Sequence, residues 1–283
     1  RDDVESRGLG DVYKRQVGIF CNKATKKFDS VQKELFRLLR ERGVEYATYY
    51  SVEEIGQTDV LIVLGGDGTI LKTAIEAGRQ GALLLGINAG NLGFLTEFEA
   101  DEAKSAVDLL CNRRYVTEKR SVLEITVSGK KYYALNEATF HRHYDEAADN
   151  NVVAVTAEID GKRVDKIVGD GIIVSTPTGS TAYSLSAGGP ILTPDIGAFI
   201  LTPVCAHSLH NRPVVYADTS VMRIFLAEEG ASLTLYCDGK YIGEIFGNDD
   251  VVLRKADFSV GFIRRPDSNF FDKLLFKLNK WSE

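Results

Sequence analysis

Cysteine is scarce in this chain and nowhere paired. Cys21, Cys111, Cys205 and Cys237 stand far apart with no Cys-x-x-Cys spacing, which argues against a disulfide framework or a thiolate zinc site. They read as small core thiols in a reducing compartment. Positive charge is equally short: the formal net charge is −6 with no basic run, which argues against a nucleic-acid binder held by phosphate contacts. No apolar stretch is long enough to span a bilayer, so no membrane partner is expected and the location expected is cytoplasmic. Methionine occurs once, at Met222, and residues 1–16 are mostly polar with no apolar signal core; they are expected to be a disordered leader outside the fold.

What the chain does have is the stretch Val60-Leu61-Ile62-Val63-Leu64-Gly65-Gly66-Asp67-Gly68-Thr69-Ile70-Leu71-Lys72, an unbroken apolar run that stops on three glycines around one acid. A short run with no polar residue suits a strand buried on both faces of a parallel sheet. Apolar residues then return at Ile70, Leu71, Ala74 and Ile75, a helical spacing. Strand, glycine turn and helix together aim backbone N–H groups and a helix N-terminus at a phosphate. No Gly-Lys-Ser/Thr follows and the Gly-x-Gly-x-x-Gly spacing is absent, so this is neither of the better-known phosphate loops. Asp67 is out of place in an anion cradle. Either it holds a divalent cation or it takes a proton from a hydroxyl that attacks phosphorus, and both readings point to phosphoryl transfer. The plainer alternative is a strand-to-helix turn in which Asp67 or Thr69 caps the helix.

Around this stretch the pattern alternates strands at 17–21, 44–49, 60–64 and 82–87 with helices. Asp29 is expected to cap the first helix, with Gln32 at the capping-box position and Val31, Leu35, Leu38 and Leu39 as the buried stripe. The fold class predicted is α/β, with an N-terminal Rossmann-like doubly wound domain whose ligands collect at the carboxyl ends of the strands. A second glycine-rich loop, Asn88-Ala89-Gly90-Asn91-Leu92-Gly93-Phe94-Leu95, leaves the fourth strand at that same edge. After about residue 120 the rhythm changes: runs at 122–127 and 131–140 flank Ser128-Gly129-Lys130, and runs at 152–159 and 163–168 flank Asp160-Gly161-Lys162. More short strands follow, including 251–253 and 258–262. The expected domains are 17–120 with 266–283, and a β-rich, sandwich-like domain over 121–265. A closing helix from about Ser268, with the stripe Phe271, Leu274, Leu275 and Leu278, is expected to return to the first domain.

The second domain carries its own chemistry. After Gly169-Asp170-Gly171 a strand empties into Thr178-Gly179-Ser180-Thr181-Ala182-Tyr183-Ser184-Leu185-Ser186, a run of hydroxyls with Tyr183 as an aromatic wall. Hydroxyls and free backbone N–H groups are the donors that a ribose and a pyrophosphate require. The plainer alternative here is a Ser/Thr-rich turn capping a short helix. In the pair Asn136-Glu137, alternation sends one polar side chain toward the core unless the strand is irregular there. His141-x-His143, with Asp145, Glu146 and Asp149 nearby, has a spacing used by metal sites, but a solvated polar loop explains it equally well.

Gly65-Gly66-Asp67-Gly68-Thr69, Asn136-Glu137, the 178–183 run and Cys205-Ala206-His207-Ser208-Leu209-His210-Asn211-Arg212-Pro213, in this order and spacing, resemble the NAD kinases of bacterial type. The resemblance implies transfer of a phosphoryl group from ATP to the 2′-hydroxyl of the adenosine ribose of NAD, with Mg²⁺ accompanying ATP and no dedicated metal site in the protein. It implies Asp67 as the catalytic base and Gly65, Gly66, Gly68 and Thr69 as the phosphate-binding turn. NAD binding is implied for Asp67, Gly68, Phe94, Asn136, Glu137, Val168, Asp170, Thr178, Thr181, Ala182, Tyr183, Ser186 and Lys240, and the assembly implied is a homotetramer. The chain departs from the family at two of these positions: Val168 stands where a basic residue is frequent, and Lys240 where glutamine is. A lipid or sugar kinase using the same glycine-aspartate turn, or a non-catalytic NADP-binding regulator, are the alternatives.

Overall fold

The structure, a computed structural model, describes residues 16–21, 28–88, 90, 93–142, 152–208, 210–226 and 231–281. Residues 1–15, Ala89, Asn91, Leu92, His143, Asp145, Glu146, Asp149 and Leu209, on which expectations were placed, lie outside it. The chain divides into two compact units, 1–119 with 260–283, and 120–259.

In the first unit β1 (Val17–Cys21), α1 (Asp29–Glu41), β2 (Tyr46–Tyr49), β3 (Val60–Leu64), α2 (Asp67–Gln80), β4 (Leu83–Asn88), the short β5 (Phe98–Glu99) and α3 (Ala103–Cys111) follow one another. The strands run parallel in the order β4-β3-β1-β2. Every residue of β1 and β3 is buried, as unbroken apolar runs require of strands covered on both sides. Winding proceeds from β1 to β2 on one side and through β3 to β4 on the other, so the direction reverses beside β3. That reversal is where open α/β sheets bind ligands, outside the carboxyl ends of their strands.

The α1 stripe is buried as expected, but its start differs: Phe28 holds the N-cap position and no side chain caps the helix. Asp29 sits one residue inside, where its charge still meets the positive end of the helix dipole. β2 begins two residues late because the Val44 N–H bonds to Leu39 O at 3.0 Å and keeps Val44 in the helix-closing turn behind Gly43 (φ 66°). The closing helix spans Phe270–Trp281; of its expected stripe Leu274 and Leu278 are half-buried, but Phe271 is 56% and Leu275 58% exposed. Two contacts turn the helix. Phe270 meets the Phe94 ring at 6.4 Å, and Lys273 Nζ bonds to Glu97 at 2.6 Å, which puts 270, 273, 274 and 277 inward.

The second unit is built from β6 (Val116–Val127), β7 (Lys130–Ala134), β8 (Glu137–Arg142), β9 (Val153–Ile159), β10 (Lys162–Gly169), β11 (Gly171–Ser175), the one-turn α4 (Tyr183–Ser186), β12 (Ala198–Val204), β13 (Val214–Ala217), β14 (Met222–Leu226), β15 (Ser232–Cys237), β16 (Lys240–Phe246) and β17 (Val251–Arg264), the chain closing with α5 (Phe270–Trp281) described above. One antiparallel sheet runs β13-β12-β11-β8-β15-β16. The other carries β10-β9-β14-β17, with β6 against β17 and β7 against β6. Their inner faces share a core that includes Leu123, Phe140, Val155, Ile172, Phe199, Leu235 and Leu253, a sandwich arrangement. The expected strand at 131–140 is two strands. β7 pairs with β6 whereas β8 pairs with β11 and β15, so Leu135 and Asn136 carry the chain from one sheet to the other. Conversely, the runs at 251–253 and 258–262 form one strand, whose last residues Gly261 and Phe262 pair with Leu83 and Leu84 in the first unit.

Candidate active site

In the first unit the residues expected to function gather at the carboxyl edge of β3. Gly65 N–H still belongs to the sheet, bonded to Ile87 O at 3.0 Å. A Cβ on Gly65 would collide with the side chain of Thr69, which folds back under the turn and is buried. Gly66 is the N-cap of α2, in extended backbone and without any side-chain cap. Thr69 N–H and Ile70 N–H return to Gly66 O at 2.8 and 3.2 Å. The N–H groups ahead of them have no place in the helical ladder. Nothing lies within 4 Å of the Cβ direction of Gly68, so the helix start is open to a ligand.

Asp67 does not cap this helix, so the capping alternative falls. Its carboxylate reaches instead to the loop after β4: Oδ2 accepts from Phe94 N–H at 2.8 Å, and Oδ1 from Leu95 N–H at 3.1 Å and Thr96 N–H at 3.4 Å. The glycine at 93 follows from this contact, because a Cβ there would sit inside the carboxylate of Asp67. Thr96 Oγ1 fixes the same turn by accepting from Gly93 N–H at 2.7 Å.

In the second unit the centre is the crossing between β7 and β8. The peptide groups of 135–137 are engaged from two sides. Asp238, in the left-handed region (φ 49°) at the β15–β16 turn, accepts from the N–H groups of Leu135, Asn136 and Glu137 at 2.8, 2.7 and 3.1 Å. Opposite, Thr176 Oγ1 donates to Leu135 O at 2.6 Å and Thr176 N–H to Asn136 O at 2.9 Å. Gly179 lies so close to Asn136 O that a Cβ there would overlap it. Main-chain groups are thus consumed locally, and the irregularity explains how two adjacent polar residues fit between two sheets.

Glu137 is buried, with Oε2 lacking a hydrogen-bond partner among the described residues. Burial, then the negative charge of Asp238, push its carboxyl up to about 8 against the pull of the Tyr183 N–H. Burial likewise lifts Asp238 to about 6, although its three N–H donors oppose the rise. Glu137 opens on a cavity of about 570 Å³ lined by Thr139, His141, Arg142, Tyr183, Thr234, Tyr236 and Gly239 among the described residues. The His141 and Tyr183 rings stack at 5.6 Å and 23° to form one wall. Burial holds the His141 imidazole below its ordinary value, while Asp170 acts the other way.

The other predicted residues fall in several places. Asp170 joins β10 to β11 and pairs with Arg142 Nε at 3.0 Å. Thr178 and Thr181 lie on a 3-10 turn, with Thr178 Oγ1 accepting from Arg120 Nη1 at 3.3 Å and Thr181 Oγ1 bonding to Thr178 O at 3.3 Å. Ala182 is the N-cap of α4, and Ser186 is its exposed last residue. Val168 is half-buried in β10 and Lys240 is exposed at the start of β16; neither lines the cavity. Sequence reasoning missed Arg142 and Asp238, and had Gly93 only as one member of the second glycine-rich loop. Asp238-Gly239 is a turn signature that gave no hint of a partner a hundred residues away, and Arg142 acquires meaning only beside Asp170. Among the described residues no group of three His, Cys, Asp or Glu is placed to hold a metal ion.

Both units match known proteins. Residues 47–115 match the family model of the ATP-NAD kinase N-terminal domain, and residues 135–265 that of the ATP-NAD kinase C-terminal domain. The chain is 35% identical to the NAD kinase of Caldanaerobacter subterraneus subsp. tengcongensis, covering 94% of this chain and 99% of that protein. It is 33% identical to the NAD kinase of Caldicellulosiruptor bescii, covering 94% and 100%. Among solved structures it is similar to yeast NADH kinase complexed with NADH, with TM-score 0.84 and 25% identity over 94% of this chain and 87% of that one. It is also similar to an NAD kinase from Archaeoglobus fulgidus in complex with ATP, with TM-score 0.77 and 26% identity over 94% and 98%.

Proposed function

Because the chain belongs to the ATP-NAD kinase family, a family of phosphotransferases, we propose that it moves the γ-phosphoryl group of ATP to the 2′-hydroxyl of the adenosine ribose of NAD, with Asp67 as the base. The observation that carries this reading is the Asp67 carboxylate, held by three backbone N–H groups beside the open N-terminus of α2. A carboxylate has about four acceptor positions, so those three bonds leave room for the proton of an attacking hydroxyl. The ribose oxygen forms the new bond to phosphorus, the bond from the γ-phosphorus to its bridging oxygen breaks, and ADP leaves. Gly65, Gly66, Gly68 and Thr69 form the turn that lets phosphate oxygens approach main-chain N–H groups. Mg²⁺ accompanying ATP would neutralise charge on the nucleotide's phosphates. Such an ion keeps most of its waters and leans on the nucleotide.

In the second unit, Asn136 and Glu137 receive ribose hydroxyls, and Tyr183 with His141 supplies the aromatic face for a ring. Thr178, Thr181, Ala182 and Ser186 line the path of the dinucleotide, Asp170 fixes its far end, and Val168 and Lys240 make outer contacts. The Glu137 carboxyl on this cavity, with Oε2 lacking a partner among the described residues, favours an acceptor that carries hydroxyls over a lipid. The assembly proposed is a homotetramer. The edge strands β13 and β16 support association, since they expose Val215, Tyr241 and Phe246. Light scattering is expected to give a multiple of 31.2 kDa.

The test is NADP formation from NAD⁺ with Mg-ATP, and with polyphosphate as an alternative donor. In Asp67→Asn the turnover is expected to fall by roughly 10²- to 10⁴-fold while NAD⁺ still binds. Near-normal turnover in that variant removes Asp67 from the mechanism.

A further inference from the structure

Behind the loop that holds Asp67 lies a cluster of buried charge in the first unit that the reaction as described does not use. The side chains of Glu97 and Arg264 are 2% and 4% exposed, and that of Lys273 is 14% exposed. Glu97 Oε2 accepts from Arg264 Nη1 at 3.2 Å, from Lys273 Nζ at 2.6 Å and from Ser268 Oγ at 3.2 Å, while Oε1 accepts from Arg265 N–H at 3.1 Å. Arg264 Nε adds Glu118 at 3.0 Å. Apolar side chains of equal volume would fill this space without desolvating three charges, so packing alone does not account for the cluster.

What the cations do, and apolar groups cannot, is hold carbonyl oxygens. Arg264 Nη2 and Nη1 donate to Phe94 O at 3.5 Å and Leu95 O at 2.8 Å, and Lys273 Nζ donates to Thr96 O at 3.1 Å. The peptide unit joining 94 to 95 therefore has its carbonyl on Arg264 and its N–H on Asp67, and so does the unit joining 95 to 96. A cation on the carbonyl polarises the peptide and strengthens the hydrogen bond its N–H donates. The backbone of 94–96 is a rigid bracket between the cluster and the carboxylate.

We infer that Glu97, Arg264 and Lys273 are positioning residues for phosphoryl transfer, holding the 94–96 backbone so that its N–H groups aim the Asp67 carboxylate. The inference rests on the reading of Asp67 as the base. It gives α5 a part in catalysis through Lys273, and β17 a part through Arg264.

Lys273→Met is the variant of choice, since it removes one cation and leaves the Glu97–Arg264 pair intact. Full-length wild type, Lys273→Met, Lys273→Arg, Glu97→Gln and Asp67→Asn are compared for kcat, for KM of NAD⁺ and ATP, and for thermal unfolding. In Lys273→Met and Glu97→Gln kcat is expected to fall about tenfold to a hundredfold, the scale of a misplaced catalytic group, with both KM values within about threefold of wild type. Lys273→Arg should restore most of the loss. Burial, the charge of Arg264 and the opposing pull of Glu97 and Glu118 leave the Lys273 ammonium at about 8. The wild-type kcat should therefore decline above that pH, and Lys273→Arg, which keeps its charge, should move the decline upward. Folded Lys273→Met and Glu97→Gln with kcat within twofold of wild type overturn the inference. Should both fail to fold, an unmoved decline in Lys273→Arg overturns it equally. Normal turnover in Asp67→Asn, whatever the Lys273 variants do, would instead refute the reading of Asp67.

Discussion

Replacing Glu137 with glutamine should stabilise the ligand-free second unit near neutral pH while weakening NAD⁺ binding. The Glu137 carboxyl moves from its ordinary 4.5 to about 8 in the folded protein, first through burial and then through the Asp238 charge. Between those values the folded chain keeps a proton that the unfolded chain has released. Stability from this group is therefore complete below about pH 4.5, falls as pH rises, and levels off above about pH 8. At about 1.4 kcal/mol per pH unit the whole span amounts to roughly 3 to 5 kcal/mol, the lower end allowing for solvent in the cavity. Glutamine does not titrate and keeps the shape of the protonated acid. The variant and wild type should match near pH 5 and diverge toward pH 8, with the variant ahead by roughly 2 to 4 kcal/mol. Asp238 contributes a slope of the same sign up to about pH 6, present in both proteins. Urea unfolding, followed by hydrogen exchange of β8 and β11 amides across this range, measures the difference. NAD⁺ binding should cost wild type a proton near pH 7, because ribose hydroxyls donating to Glu137 favour its charged form, and the variant none; calorimetry in buffers of different ionisation enthalpy counts it. Equal pH slopes in the two proteins would refute the reasoning.

Gly93→Ala places a methyl group inside the Asp67 carboxylate, so kcat should drop by about 10²-fold with little change in the dissociation constant of NAD⁺, read by initial rates and equilibrium binding. Arg142→Met leaves Asp170 without its 3.0 Å partner and should shift the ratio of kcat/KM for NAD⁺ and NADH by about tenfold. Lys166→Ala, on an exposed β10 position, should leave that ratio unchanged, and the opposite result would return the role of the missing basic residue at 168 to Lys166. Gly179→Ala forces the 178–181 turn away from Asn136 O and should raise the KM for NAD⁺ about tenfold or more while ATP binding to the first unit persists.

The α/β half was readable because buried parallel strands are written as unbroken apolar runs: β1 and β3 fall on the expected residues. The failures mark forces that act across the chain. Phe271 and Leu275 sit at good helical spacing, yet Lys273 and Phe270 set the rotation of α5, and the strength of a buried Lys-Glu contact is invisible in a hydrophobic pattern. The 131–140 run looked continuous because Leu135 is apolar and the polar interruption, Asn136-Glu137, is only two residues long. Its break is imposed by Asp238 and Thr176, both far away in sequence. In the site, glycine, aspartate and hydroxyl runs announced themselves by composition. Arg142 and Asp238 did not, because each is needed only for what another loop places beside it.

The first unit also has a consequence for how the protein is made. Its sheet ends on residues of β17, and its buried Glu97 finds its cations at 264 and 273, all supplied by the last part of the chain. A ribosome delivers residues 120–259 before any of these, a delay on the order of ten seconds. During that interval the nascent first unit carries an open sheet edge at Leu83 and Leu84 of β4 and an acidic side chain without its Arg264 and Lys273 partners. The second unit is free to fold first, although it comes later in the message, and the first unit closes only when α5 emerges.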